Sequence, residues 1–438
     1  MDPITIGIII SIALVLVLGS GIPVAFGLGF ISIASLLVWE GPDSISGIAE
    51  IFYSGLAEFT LVSIPMFIVM GAVVASSPAG KDLYMALDRW LNRVPGGLIL
   101  SNLAACSIFA ALSGSSPATC AAIGKMGIPE MRQRGVSDGL ATGSIAAGGT
   151  LGILIPPSIT MIVYGVATET SIGRLFLAGL IPGFLMTSLF MVWALYSAWK
   201  KDPDFMTNAP SFSWSERFRI LPRVLPFIAI IIAVLYVLYG GVATPSEAAG
   251  VGALMCLLVA VAVYKLFQIK TIWTILSDSM KESVMILMII GASALFSYTL
   301  SSLFVTQTLA ETIASLDVNR WVLLACVNLF LLVAGMFLPP VAVILMTAPI
   351  LMPIISSVGF DPYWFAVILT INMEIGLITP PVGLNLYVIN GIVPDVNLPT
   401  VLKGAFPFVL CMVLAIIILC IFPELATWLP NTVMGDAV

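Results

Sequence analysis

Two long apolar segments are each interrupted by a pair of prolines, and this interruption limits what the chain can form. The first reads Gly152-Ile-Leu-Ile-Pro-Pro-Ser158, and the second reads Gly376-Leu-Ile-Thr-Pro-Pro-Val382. Proline removes a backbone donor and clashes with the preceding turn, so a helix ends at each pair. Inside a bilayer, the backbone groups freed in this way must be buried in protein or line a cavity. Two interrupted segments in corresponding halves are typical of a transporter's binding site.

The composition indicates a polytopic membrane protein. The 438 residues are 60% hydrophobic and 9% charged, whereas soluble domains are roughly 25% charged. Apolar runs of about 20 residues recur along the chain, and each is long enough to cross a bilayer. The first run has no basic flank and no Ala-x-Ala site, so we expect a retained span and not a cleaved signal peptide. The net charge of −6 gives no footprint for nucleic acid, and the absence of histidine from the sequence excludes a histidine proton relay.

The apolar segments fall into two series separated by a polar linker. In the first series, Ser113-Gly-Ser-Ser-Pro117 joins two short apolar arms, a pattern that predicts a re-entrant hairpin. In the second series, Phe337-Leu-Pro-Pro340 joins two further arms and predicts a second hairpin. The first half, 1–199, is predicted to contain spans near 4–20, 22–39, 56–76 and 175–199, a surface helix near 80–93, the hairpin 98–131 and the broken span 138–167. The second half, 224–438, is predicted to contain spans near 224–241, 246–267, 282–304 and 404–422, the hairpin 322–355 and the broken span 361–391.

The two halves are predicted to be inverted repeats. Adding 224 to the residue numbers of the first hairpin gives 322–355, and the same shift maps Pro156 onto Pro380. Each half then contains five spans and one hairpin, and an odd number of crossings inverts the second half in the membrane. Basic residues concentrate in the loops 78–96, 125–135, 200–223 and 265–281. The positive-inside rule places these loops, including the linker 200–223, in the cytoplasm.

Four stretches carry a resemblance to a known family. They are Ser113-Gly-Ser-Ser-Pro-Ala-Thr, Gly152-Ile-Leu-Ile-Pro-Pro-Ser, Phe176-Leu-Ala-Gly-Leu-Ile-Pro-Gly183 and Gly376-Leu-Ile-Thr-Pro-Pro-Val-Gly-Leu-Asn385. Together they resemble the large membrane subunit of tripartite ATP-independent periplasmic (TRAP) transporters, and the resemblance covers essentially the whole chain. It implies a multi-pass protein of the bacterial inner membrane that imports an organic acid with a sodium gradient. It also implies an elevator movement, in which the hairpins and broken spans slide as one unit against a scaffold.

The resemblance further implies two protein partners. One is a small membrane subunit, and the other is a soluble periplasmic protein that delivers the substrate. Because the N-terminus begins directly with the first span of the large subunit, we expect the small subunit to be a separate chain. No cofactor is expected apart from sodium as the coupling ion.

Hairpin tips and helix breaks bring together carbonyl oxygens that no helix uses, and such oxygens can coordinate sodium. The resemblance likewise implies one sodium site in each half. Small residues at such a tip can instead serve only to let two helices approach closely. The candidate sodium ligands are Ser113, Ser115, Ser116, Gly152, Ile155 and Pro157 in the first half, and Gly335, Pro339, Gly376, Thr379 and Pro381 in the second.

Substrate contacts are predicted just beyond the breaks. Ser158, Thr160 and Asn385 can donate hydrogen bonds to a carboxylate, or they can join helices to each other. Glu374 lies deep in an apolar segment, and a carboxylate in a membrane span is a functional candidate by default. Alternatively, this side chain contacts water in a vestibule or pairs with another polar group.

Two other classes of function stay open at the level of the sequence. The first is a stand-alone dicarboxylate or citrate symporter of similar inverted-repeat design, which needs no binding protein. The second is a channel or an intramembrane enzyme. The chain has no nucleotide-binding glycine loop and no paired catalytic carboxylates, which argues against an enzyme. It also lacks continuous rings of charge, which argues against a channel.

Overall fold

A computed structural model describes residues 1–92, 94, 96–201, 212–315 and 319–435, and every regular element in these ranges is helical. The helices of the first half are α1 (Pro3–Gly19), α2 (Val24–Trp39), α3 (Ile48–Leu56), α4 (Ser63–Ala75), α5 (Ala79–Leu91), α6 (Gly97–Ser113), α7 (Ser116–Gln133), α8 (Asp138–Leu154), α9 (Ile159–Ala167) and α10 (Ile172–Lys201). Those of the second half are α11 (Trp214–Tyr239), α12 (Pro245–Ala262), α13 (Ile269–Ser302), α14 (Val305–Ser315), α15 (Arg320–Phe337), α16 (Pro340–Ser357), α17 (Pro362–Leu377), α18 (Leu384–Ile392), α19 (Leu398–Ile421) and α20 (Glu424–Met434). Short 3-10 turns precede α3 and α4.

The helix boundaries follow the offset that the sequence predicts. Adding 224 to the bounds of α7 gives 340–357, which are the bounds of α16, and the same shift moves α8 to within one residue of α17. The segments predicted as hairpins and as broken spans therefore coincide with helix pairs at corresponding positions. The opposite orientation of the two halves in the membrane stays a prediction.

The membrane-crossing capacity agrees with a multi-span protein. Among the described residues, seven helices are long and apolar enough to cross a bilayer, or up to nine if each bent pair counts as one span. Both arms of the second hairpin, α15 and α16, belong to the seven. A helix of about 18 residues rises roughly 27 Å, close to the thickness of the hydrocarbon core. Helix length alone therefore does not distinguish a re-entrant hairpin from two spans.

Two segments differ from the sequence expectation. The predicted span 56–76 corresponds to the turn Phe59–Val62 together with α4, and this arm is bent by 59° from the preceding arm, Pro42–Leu56. The predicted linker 200–223 is shorter than expected, since α11 begins at Trp214. A capping box explains this start, because Ser213 and Glu216 each satisfy the other's backbone amide. The linker residues 202–211 lie outside the described part of the chain.

The helices pack as two groups. In one group α12 packs on α4, and α13 packs on α2 and α3. In the other group α6, α7 and α19 pack on α8, and α15 packs on α17. The surface helix predicted near 80–93 is α5, which connects the first group to the first hairpin. Its Trp90 ring lies 5.7 Å from Phe218 of α11, so this connection is fixed by aromatic packing.

Glycines allow the closest crossing in the second group. A Cβ atom on Gly404 of α19 would collide with the backbone of Gly139 in α8, and one on Gly143 would collide with the backbone of Gly404. Without a hydrophobic driving force between helices in lipid, such small residues let backbones approach and gain van der Waals contact. The α8–α19 crossing thus holds the first broken segment against the last long helix.

Candidate functional site

The tip of the first hairpin lies against the first helix break. A Cβ atom on Gly152 would lie 2.6 Å from the Ser115 carbonyl oxygen, and one on Gly114 would lie 3.0 Å from that of Pro157. Only residues without a side chain permit this approach of two backbones. The structure therefore brings together four of the predicted first-half sodium ligands, namely Ser115, Ser116, Gly152 and Pro157. Ile155 follows the end of α8 with an extended backbone.

Hydroxyl groups form a small network inside this tip. The Oγ of Ser113 lies 2.7 Å from Oγ1 of Thr119 and 3.2 Å from the carbonyl oxygen of Ser115. Thr119 Oγ1 also donates to the Ser115 carbonyl at 2.9 Å. Thr119 is not among the sodium ligands predicted from the sequence, although its hydroxyl lies one helical turn after Ser115. Ser113 and Thr119 are both buried, so the tip concentrates neutral oxygen atoms away from lipid.

The second hairpin also contacts its own break, but the contact lies at a different position along the hairpin. A Cβ atom on Gly376 would collide with the carbonyl group of Gly335, and the amide of Val382 donates to Met336 O at 3.3 Å. By the 224-residue offset the contact equivalent to Gly152–Ser115 would involve Pro339. The observed partner, Gly335, lies four residues earlier, which is about one helical turn. Pro339 lies at the tip, directly before α16.

The two breaks differ in exposure. Pro156 and Pro157 are buried, whereas Pro380 and Pro381 are exposed. Thr379 is half-buried, and its Oγ1 donates to the Ile375 carbonyl at 2.6 Å. This bond uses the hydroxyl proton and leaves the oxygen lone pairs able to coordinate a cation. The second break is thus more accessible than the first.

One side chain of the second half joins the first site. Asn385, at the start of α18, is fully buried and its Nδ2 donates to Ser116 Oγ at 2.8 Å and to the Ala146 carbonyl at 3.2 Å. Its Oδ1 is buried and has no hydrogen-bond partner among the described residues. The predicted substrate contact Asn385 and the predicted sodium ligand Ser116 are therefore direct neighbours.

Both hairpin tips and both breaks border one cavity of about 1150 Å³. Four helices begin at its wall, since Ser116, Ile159, Pro340 and Leu384 are the first residues of α7, α9, α16 and α18. The opposite wall is formed by α2 and by the first half of α13. Helix N-termini carry partial positive charge and unpaired amide groups, so their convergence favours an anion.

The predicted substrate contacts lie at different places around this cavity. Thr160 lines it. Ser158 is the N-cap of α9: its Oγ accepts from the Met161 amide at 3.2 Å and donates to Ile153 O at 2.5 Å. Glu374 is fully buried in α17, and neither of its carboxylate oxygens has a hydrogen-bond partner among the described residues. Ser158, Asn385 and Glu374 do not line the cavity wall.

The donor atoms at the breaks fit a hard monovalent cation. Hydroxyl and carbonyl oxygens surround the first tip, and oxygen donors suit hard cations. Within the described residues there is no group of three or more histidine, cysteine or acidic side chains that could hold a metal ion. The residues present therefore fit sodium better than a transition metal.

A second cavity of about 1000 Å³ lies between α3, α13 and the loop after α9. Its wall includes Glu58, Glu169, Ser293 and Ser297. The loops that reach it, 168–173 and 241–245, carry no basic residue, so the positive-inside rule predicts that they face the periplasm. The two cavities thus approach the second helix group from opposite predicted sides.

Comparison with known proteins agrees with the fold. The TRAP transporter family model, described as "Tripartite ATP-independent periplasmic transporter, DctM component", matches residues 9–425. The C4-dicarboxylate large permease protein of Pseudomonas aeruginosa is 36% identical over 404 residues, covering 92% of this chain and 93% of the relative. That of Vibrio cholerae is 35% identical, covering 98% and 99%, and the sialic acid large permease of the same species is 31% identical, covering 95% and 96%.

Solved structures show the same fold at low identity. The YdaH transporter of Alcanivorax borkumensis superposes with a TM-score of 0.65 at 15% identity and covers 90% of both chains. MtrF of Neisseria gonorrhoeae gives a TM-score of 0.59 at 14% identity, covering 90% of this chain and 85% of the other. The chain is therefore a multi-span transport protein of the bacterial inner membrane and belongs to the DctM component family of tripartite ATP-independent periplasmic transporters.

Proposed function

We propose that this permease imports an organic acid together with sodium, and that the substrate binds where the hairpin tips meet the helix breaks. The observation that carries the proposal is the convergence of α7, α9, α16 and α18 on one cavity. The family places the chain among transporters, and the cavity supplies a chemical reason for an anionic substrate. Each helix start contributes roughly half a positive elementary charge.

Sodium coupling rests on the oxygen clusters at the breaks. The first cluster contains the Ser113 and Thr119 hydroxyls and the Ser115 carbonyl. These three oxygen atoms all lie within 3.2 Å of one another. The second contains Thr379 beside the close contact of Gly376 with Gly335. A bound cation at each cluster would lie near the helix starts. Its charge would add to theirs and raise the affinity for a carboxylate.

The proposed movement follows from the two helix groups. The group with the hairpins and breaks faces α2 and α13 across the cavity, and that wall is formed largely by apolar side chains such as Phe26, Met280 and Met285. An apolar wall makes few directional bonds, so the facing group can slide along it. The cavity also borders Trp273 and Ser277, which lie in the loop region predicted to be cytoplasmic. We assign this arrangement to the inward-facing state of an elevator.

The same proposal includes two protein partners, a small membrane subunit and a periplasmic binding protein. Related large permeases carry C4-dicarboxylate, sialic acid or ectoine in their names. One relative from Oleidesulfovibrio alaskensis is named an isethionate permease protein DctMQ, and this chain covers 63% of its length. The extra length of that relative fits a fused small subunit.

Thr379→Val tests the sodium site with little change in shape. Losing one ligating group costs on the order of 1–3 kcal/mol, so the sodium concentration for half-maximal uptake should rise roughly tenfold or more. Thr370→Val is the matched control. Thr370 donates the same type of hydrogen bond, to Ala366 O at 2.8 Å. It lies within α17, nine residues before Thr379 and away from the break. Uptake into proteoliposomes, with both partners present, is measured against sodium at fixed pH. Ser116→Ala removes a predicted first-half sodium ligand beside the first cluster and should raise the sodium requirement in the same assay.

Two results would contradict the proposal. Equal uptake driven by a proton gradient without sodium would reject sodium coupling and direct attention to Glu374. Full uptake by the permease alone, without a small subunit or binding protein, would favour a stand-alone dicarboxylate or citrate symporter. An unchanged sodium dependence in Thr379→Val would restrict the second site to backbone carbonyls.

A further inference from the structure

The two hairpin tips that border the substrate cavity have opposite chemistry. The first tip carries the hydroxyl groups of Ser113, Ser115 and Ser116, whereas the corresponding residues of the second tip, after adding 224, are Phe337, Pro339 and Pro340. Both tips reach the same cavity, which is lined by Ser115 and Ser116 on one side and by Pro339 and Pro340 on the other. The cavity is therefore polar at one end and apolar at the other.

The surrounding residues continue this division. Beside the second tip the cavity is lined by Val341, Ala342, Leu377 and Leu384, none of which has a polar side chain. Thr160 is the further hydroxyl that the hairpin-and-break group contributes to the wall. The hydroxyl donors on this group are therefore those of Ser115, Ser116 and Thr160, and all three belong to the first half.

The charged side chains of the cavity lie on the other wall. They are Lys281 and Glu282 of α13, within the described residues. Lys281 is already paired with Asp278 at 2.9 Å, and both side chains are well exposed to solvent. Among the described residues no arginine lines the cavity, so a substrate with two carboxylates would find no bidentate partner there for the second one. The starts of α16 and α18 supply partial charge there, but two prolines, Pro339 and Pro340, remove amide donors from the first of them.

From this division we infer that the site takes a monocarboxylate with an apolar body, and not a dicarboxylate. The inference rests on the proposed function of the cavity and deepens it. The carboxylate lies at the first tip, where the half-buried Ser115 can donate a hydrogen bond, where the buried Ser116 and Thr160 lie directly behind the wall, and where α7 and α9 begin. The apolar body lies against Val341 and Leu384. A second carboxylate at that end loses water without gaining donors, and an unpaired buried charge is costly.

Cysteine protection measures binding to the permease without the binding protein, which has its own specificity. Met285 lines the opposite wall of the cavity and is 55% exposed, so Met285→Cys reports occupancy through its rate of alkylation by a maleimide. The permease is assayed with its small membrane subunit in inside-out vesicles, and the label taken up by the parent protein is subtracted. Pentanoate and succinate are the probes, because they differ mainly by an ethyl group in place of a carboxylate. We expect pentanoate to give half-protection at a concentration at least about tenfold lower than succinate.

A second variant tests the cause of the preference. Val341→Thr adds a hydroxyl to the apolar end with almost no change of shape, and it should narrow the gap between the two acids by roughly threefold or more. Val333→Thr is the control, because Val333 is exposed on α15 and does not line the cavity. Protection by succinate at the same or a lower concentration than pentanoate would overturn the inference, as would protection by neither acid. Protection that does not depend on sodium would instead reject the proposed coupling and leave the preference for pentanoate intact.

Discussion

Asn385 and Ser116 lie 269 residues apart in the chain and share a hydrogen bond of 2.8 Å in the buried interior. Asn385 is the second residue of α18 in the second broken segment, and Ser116 is the first residue of α7 in the first hairpin. The bond therefore joins the two halves at the point where the cavity, the first oxygen cluster and two helix starts meet. A movement of the hairpin-and-break group as one body requires links of this kind.

We expect Asn385→Ala and Ser116→Ala to destabilise the protein and to be coupled. Each single variant leaves one buried polar group without its partner, which typically costs about 1–3 kcal/mol. The double variant should lose less than the sum of the two, because no unpaired partner remains. Thermal unfolding in detergent measures all four proteins. Asn390→Ala is the control, since Asn390 is only half-buried near the other end of α18. Strict additivity of the two losses would show that the bond is not made in solution.

The glycine crossing of α8 and α19 yields a second prediction. Gly404→Ala should reduce thermal stability strongly and lower the amount of folded protein in the membrane, because the methyl group would collide with the backbone of Gly139. Backbone atoms cannot move aside as a flexible side chain does, so the two helices must separate. Gly250→Ala in α12 is the matched control, because nothing lies within 4 Å of the added methyl group. Alanine favours helix over glycine by roughly 0.5–1 kcal/mol, so this control should be neutral or slightly stabilised. Equal stability of the two variants would contradict the close crossing.

Much of the helix pattern was accessible from the sequence. The proline pairs at 156–157 and 380–381 mark where α8 and α17 end, since a helix cannot continue through them. The 224-residue offset maps the predicted hairpin 98–131 onto 322–355, and it also relates the observed bounds of α7 to those of α16. Ser158 shows the limit of this reasoning. A serine directly before an apolar helix is a typical N-cap, and the structure gives it that role.

The contacts between elements were not accessible from local pattern. The offset predicts that Gly376 packs near Pro339, but the observed neighbour is Gly335. A shift of one helical turn changes no residue and no helix boundary, so it leaves no trace in the sequence. The hydrogen bond between Asn385 and Ser116 also cannot be predicted from local sequence, because it depends on how the two halves pack together.

An ion pair outside the spans gives a prediction about pH. Arg132, near the end of α7, pairs with Asp395 in the loop after α18 at 2.6 Å and with Asp138 at the start of α8 at 2.9 Å. The hydrogen bond from Arg132, helped by its charge, holds the pKa of Asp395 below the usual value of an aspartate. A carboxylate with a lowered pKa stabilises the folded state above its unfolded pKa, which is roughly 3.9. That stability is lost as the pH falls through the lower, folded value.

Arg132→Gln should therefore lower the melting temperature slightly and by a constant amount between pH 5 and 8. The difference from the parent protein should shrink as the pH falls below about 3.9, the unfolded pKa of an aspartate, and disappear below the lower folded pKa of Asp395. Melting curves of both proteins between pH 3 and 8 measure this difference in melting temperature. Lys281→Gln removes the Lys281–Asp278 pair within one helix and should have no measurable effect on stability, since exposed pairs of this kind contribute little. A difference that grows on acidification would contradict the assigned sign.

The last prediction concerns the orientation of the two halves. Adding 224 maps Gln133, at the end of α7, onto Ser357, at the end of α16, and both residues are exposed. If the halves are inverted, Gln133→Cys should react with a membrane-impermeant maleimide only from the cytoplasmic side. Ser357→Cys should react only from the periplasmic side. Intact cells expose the periplasmic side to the maleimide, and inside-out vesicles expose the cytoplasmic side. Labelling of the parent protein gives the background from its own cysteines. The two positions share helix register, hairpin arm and exposure, so they differ only in the side of the membrane. Labelling of both from the same side would reject the inverted arrangement and the elevator built on it.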